Sequence, residues 1–215
     1  MKTLLKKELT LSASPLSFVF IAFALMALIP NYPILVGGFF VCLGIFQSFM
    51  AAREAGDTLF TAMLPVKKTD VVKARFAFTV FIQLAAFAAM AALTALRMTA
   101  LADAGAYTAN ALMNANLAYL GWELVVFALF NALFVCAFYK TAYKLGWPFV
   151  IFGIVSFLVI TAAEVLHHIP GLEGLNSTHY EPKQLAVLIA GAVIYGAVTF
   201  ISERVSEKRF SRVDL

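Results

Sequence analysis

A single carboxylate stands in the middle of apolar sequence. Glu123 separates two charge-free stretches, Ala104–Trp122 and Leu124–Tyr139. In lipid an ionisable group is expensive and normally faces a bundle interior or a water-filled cavity. Two readings follow: Glu123 lines a translocation path or senses substrate charge, or it is protonated or paired with Arg97. Gln83 and Asn131 are amides deep in apolar stretches. Interhelical hydrogen bonds of that kind are worth about 0.6 kcal/mol each, so both are structural links first and path residues second. Glu164, three residues before His167, completes the candidate path set, and His168 follows directly. Two ligands and a neighbour are too few for a metal centre; side chains snorkelling to the interface is the simpler reading. Cys42 and Cys136 have neither disulfide nor metal-site spacing and read as buried thiols. The sequence contains no G-x-x-x-x-G-K-[ST], no H-E-x-x-H and no G-x-S-x-G. It therefore offers no phosphate-cradling loop, no zinc protease site and no nucleophile elbow. The chain reads as non-catalytic, with no cofactor or metal of its own.

These residues must be held by membrane helices. Of the 215 residues, 62% are hydrophobic and 13% charged, against about 45–50% and about 25% in soluble domains. Too little polar surface remains to cover a water-soluble globule, and disorder or nucleic-acid binding needs more solvated charge than this. Charge-free runs cover Leu9–Ala52, Phe76–Leu96, Ala104–Trp122, Leu124–Tyr139, Leu145–Ala163 and Gln184–Ser202. The first is 44 residues long and is broken by Pro30-Asn31-Tyr32-Pro33. A spanning helix needs about 20 apolar residues. The expectation is an all-α membrane protein, a single transmembrane domain over 1–215, with six spans near 13–29, 34–52, 76–98, 115–139, 147–167 and 184–202.

The net charge of +4 is a topology signal. With six crossings, fourteen of the sixteen basic residues fall on one side; only Arg97 and Lys183 fall on the other. The positive-inside rule places that basic side, with both termini, in the cytoplasm. Lys2–Thr10 is amphipathic and suits an interfacial helix. The longest cytoplasmic loop, Arg53–Arg75, predicts a short helix over Thr58–Met63 that Asp57 caps and Pro65 stops, with Thr69 or Asp70 capping the next helix. In the last span, Ala192 and Gly196 are four apart, with Ala190 and Gly191 alongside, and predict close packing, either within the chain or between copies.

In that loop, Leu64-Pro65-Val66-Lys67-Lys68 followed by Asp70-Val71-Val72 and Ala74-Arg75 resembles the stretch after the second span of short bacterial ABC-2-type transporter permeases. Ser202-Glu203-Arg204-Val205-Ser206-Glu207-Lys208-Arg209-Phe210 is similar to the tail after their sixth helix, and Leu4-Leu5-Lys6-Lys7-Glu8-Leu9 to their N-terminal interfacial helix. The resemblance implies a permease subunit of an ATP-binding cassette exporter in the bacterial inner membrane. It would pair with a second permease, a copy or a homologue, and be driven by a separate ATPase subunit that holds the ATP and Mg. The loop between spans two and three would be the coupling helix. Glu54, Asp57, Thr58, Leu59, Phe60, Leu64 and Pro65 would then contact the ATPase. Leu59, Phe60 and Met63 would fill a cleft while Glu54 and Asp57 meet basic residues at its rim. Two other readings stay open on the residues alone: an ATP-independent carrier, and a membrane-integral immunity or interaction protein.

Overall fold

The structure is a computed structural model that describes residues 2–63, 65–141 and 143–213. Helix α1 (Lys2–Lys7) runs on as a π turn over Glu8–Ser12, and α2 (Pro15–Val19) continues as a 3-10 helix over Phe20–Leu28. Then come α3 (Val36–Glu54), α4 (Asp57–Met63), α5 (Lys68–Thr99) and α6 (Gly105–Thr108). α7 (Leu117–Leu129) passes through a π segment, Phe130–Val135, into α8 (Cys136–Phe138). α9 (Gly146–Leu166), a 3-10 turn at Glu173–Asn176 and α10 (Pro182–Phe210) complete the chain. Among the described residues every regular element is helical.

Five helices are long and apolar enough to cross a membrane: α3, α5, α7–α8, α9 and α10. The bent N-terminal pair, Thr3–Thr10 and Pro15–Leu28, supplies up to a sixth, its two arms meeting at 86°. Ser14 makes the corner. It is extended, its hydroxyl accepts from the Leu16 amide at 3.4 Å, and Pro15 opens the helix, where a missing amide leaves nothing unpaired. Pro15–Leu28 has only 14 residues, about 21 Å as an α-helix. Winding nine of them as a 3-10 helix stretches it to about 25 Å, closer to the roughly 30 Å apolar layer. α5 and α10 differ from their expected spans in the other direction. At 32 and 29 residues they reach about 48 and 43 Å, so each helix projects beyond the apolar layer, where charge-free counting cannot follow it.

The packing that matters is close-range. Gly121 of α7 and Gly191 of α10 face each other so tightly that a side chain on Gly191 would run into the Gly121 carbonyl. Without Cβ atoms the backbones approach, and dispersion holds the pair where lipid gives no hydrophobic drive. Within the chain, the close packing expected of the last span falls on Gly191; Ala192 is exposed and Gly196 meets open space, on another side of α10. A phenylalanine stack, Phe39, Phe46, Phe130, Phe134, Phe149 and Phe152, joins α3 and α9 across the π segment, with Phe46 and Phe149 stacked at 4.1 Å. α1 and the C-terminal residues meet the start of α5: Arg75 pairs with Glu8, and Lys68 donates to the Val213 carbonyl at 2.6 Å. Both described chain ends therefore lie at the end of the bundle that carries loop 53–75.

Candidate functional site

At that basic end, four charges from three helices share one site. The Arg75 guanidinium of α5 lies 2.8 Å from the Glu8 carboxylate and 3.7 Å from Asp57 at the start of α4. Lys7 reaches Asp57 at 2.6 Å and Glu8 at 3.3 Å, and donates to the Thr61 hydroxyl at 2.8 Å. Ser12 donates to Asp57 at 3.2 Å. Arg75 also stacks over Phe49 of α3 at 4.9 Å. Glu8 and Arg75 are 2% and 5% exposed. Two cations against two carboxylates make the cluster neutral, which is how charge is tolerated under burial; removing one partner strands the other, at about 3–5 kcal/mol. The cluster thus fastens α1, α4 and α5 to one another.

Asp57 has a further role beside the one expected. Its carboxylate is turned inward to Lys7, Ser12 and Arg75, where charge-assisted contacts are the strong ones. The next helix also begins differently: Lys67 is its N-cap, without a side-chain bond, and Thr69 and Asp70 fall in its first turn. The outer side of α4 is apolar and open. Phe60 is 61% exposed and Met63 82%, with Val66 beyond, and Glu54 and Pro65 are exposed beside them. The side chains of Thr58 and Leu59, and Leu64 as a whole, lie outside the described residues. A short helix clamped on one side and apolar on the other can accept a partner and pass its displacement to α5 and α1.

The candidate path residues divide into three places. Glu123 is 0% exposed and closed against α3: it accepts from the Gly38 amide at 3.3 Å, its second oxygen has no hydrogen-bond partner, and a Cβ on Gly38 would overlap that oxygen. Gln83 and Asn131 form a closed amide pair, 3.0 and 3.1 Å in the two directions. Asn131 further donates to Thr199 at 2.9 Å, and Gln83 accepts from the Tyr195 hydroxyl at 2.9 Å. Asn131 belongs to the π segment, whose wider winding aims it at both α5 and α10.

Arg97 and Glu164 lie at the opposite end. Arg97 does not reach Glu123; it donates to the Ala27 carbonyl and to Asn114, each at 2.7 Å, and sits 3.4 Å over the Tyr107 ring. Glu164 accepts from the Met113 amide at 2.8 Å, and His167 contacts the Ala111 carbonyl at 3.3 Å. Both were expected to snorkel to water; instead they hold the connection between α6 and α7, whose loop amides would otherwise be buried without partners.

Sequence reasoning puts Asn116 near the outer end of span four but missed its role. It caps α7, accepting from Ala118 and Tyr119 amides at 2.9 and 3.1 Å, and donates to the carbonyls of Leu175 and Ser177 at 2.8 and 3.0 Å. Its signal was present: an asparagine directly before an apolar run is a helix-start mark. Among the described residues no group of three or more His, Cys, Asp and Glu side chains is arranged to hold a metal ion.

In comparison with known proteins, the model of a family described as "ABC-2 family transporter protein" matches residues 3–211. No curated protein and no solved structure matches the chain.

Proposed function

Because this chain belongs to the ABC-2 transporter family and is an ABC-transporter permease, we propose that a separate ATPase subunit, which binds the ATP and Mg, drives it by docking on α4. The observation that carries this is the two-sidedness of α4. Phe60 and Met63 are open to a partner, while Asp57 and Thr61 tie the other side to Lys7 and Arg75. Closure of the ATPase pushes α4; the buried ion cluster transmits the push to α5, and α1 moves with it. Glu54 and Pro65 flank the contact, and Thr58, Leu59 and Leu64 join it by sequence position. The basic end is the cytoplasmic one, in agreement with its excess of lysine and arginine, and the membrane is the bacterial inner membrane. Transport runs outward, and a second permease, a copy or a homologue, completes the path.

An ATP-independent carrier would need an open polar route through the bundle. Glu123 closed on Gly38 and the saturated Gln83–Asn131 pair favour the ATP-driven reading. The test is co-expression of the chain with its candidate ATPase, comparing the parent with Phe60→Asp/Met63→Asp. The variant inserts normally but loses ATPase co-purification and the associated hydrolysis. Undiminished co-purification with undiminished hydrolysis sinks the assignment.

A further inference from the structure

At the basic end, away from α4, the chain forms a small cationic hollow. Lys140, just after α8, and Arg209 and Arg212, at the end of α10, line a cavity of about 270 Å³ with Val213 as its apolar wall. The hollow is held in shape from both sides. Arg209 donates to the Cys136 carbonyl at 2.8 Å, which fixes the end of α10 on α8. Lys68 holds the Val213 carbonyl at 2.6 Å and lies 5.9 Å over the Phe210 ring. Among the described residues no carboxylate pairs with Lys140, Arg209 or Arg212; the ion pairs nearby, Lys73–Glu207 and Arg204–Glu207, use other residues. Tyr143, in the connection that follows Lys140, and Trp147, in the first turn of α9, are strongly exposed, and exposed Tyr and Trp mark the headgroup level of a membrane protein.

We propose that this hollow binds the phosphate of an anionic phospholipid. Three cationic side chains from two helix ends converge on one volume, and none of them pairs with a carboxylate among the described residues. Guanidinium forks match phosphate oxygens. The long Lys and Arg stems and Val213 supply an apolar wall for the start of an acyl chain, which a free phosphate would not use. Basic hollows between spans at the headgroup level are sites where anionic headgroups collect. The occupant is the lipid, and the site does not depend on how α4 is used.

Native mass spectrometry of the purified chain, with phosphatidylglycerol or phosphatidylcholine added, tests this. The parent retains phosphatidylglycerol and not phosphatidylcholine. Lys140→Gln/Arg212→Gln, which spares the Arg209–Cys136 bond, binds phosphatidylglycerol about 30-fold more weakly, each lost charge near an anionic surface being worth about fivefold. The charge-keeping Lys140→Arg/Arg212→Lys variant retains it, which separates loss of the site from loss of the fold. Equal retention of both lipids, unchanged binding in the neutral variant, or displacement of the lipid by millimolar inorganic phosphate would each overturn the proposal.

Discussion

Replacing Gly38 by alanine should expose how tightly Glu123 is fitted. The new Cβ would overlap the second Glu123 oxygen, so the carboxyl group must move inside a site with no access to water. Moving it breaks the Gly38 N–H bond and leaves a buried group unpaired, about 1–3 kcal/mol. Crowding adds about 1–3 kcal/mol. Alanine gives back about 1 kcal/mol through its better helix propensity. The net loss is about 1–5 kcal/mol, a fall in Tm of roughly 2–20 °C at about 2–4 °C per kcal/mol. In a Glu123→Ala background the obstructing oxygens are gone, and Gly38→Ala becomes neutral or slightly stabilising. The assay is a double-mutant cycle read by unfolding in a fixed detergent, with Glu123→Gln as a control that keeps an acceptor for the Gly38 amide. The reasoning is refuted if Gly38→Ala has the same effect in both backgrounds, within the roughly 0.5 kcal/mol expected of independent sites.

Arg75→Gln leaves the Glu8 and Asp57 carboxylates to share Lys7 as their one remaining cation in the cluster and should destabilise by about 3–5 kcal/mol; a Tm within a degree of the parent would show that Arg75 carries no weight there. Gln83→Leu strands Asn131, while Gln83→Leu/Asn131→Leu removes both groups, so the double variant should lose less than the sum of the singles in the same unfolding assay. Gly191→Leu drives a side chain into the Gly121 carbonyl and should stop α7 and α10 from packing, seen as loss of monodisperse protein in size-exclusion chromatography; a well-packed variant would contradict the close approach. The Glu173 carboxylate accepts from its own backbone amide and that of Gly171, which hold its titration below the ordinary carboxylate range. Because the folded form is the better acid, any support it gives this loop is present above the ordinary range and disappears as pH falls through the folded pKa. A carbon-detected NMR titration should find its midpoint below the roughly 4.3 of a free glutamate.

Much of this was written locally. Hydropathy is a sum over a segment's own residues, so the five long helices, the break at residues 30–33 and the basic side followed directly from composition along the chain. The short helix after Arg53 and the helical winding of Lys2–Thr10 were likewise legible, since amphipathicity and a stopping proline act within a few residues. Helix ends were less so. α5 begins at Lys68, eight residues before the charge-free run that starts at Phe76, because charge opposes burial in lipid and not the winding of a helix.

What the sequence by itself determined is the solvent: a chain this apolar, with its cations on one side, belongs across a bilayer. What only the tertiary structure decided is which polar groups meet. Glu8 finds Arg75 across more than sixty residues of chain, Arg97 takes Ala27 and Asn114 and leaves Glu123 to Gly38, and Gly191 rather than Ala192 touches the neighbouring helix. Residue type fixes how much a buried charge or a missing Cβ is worth. The rotation and offset of whole helices fix which partner stands within reach, and those are set by the packing of every side chain between them.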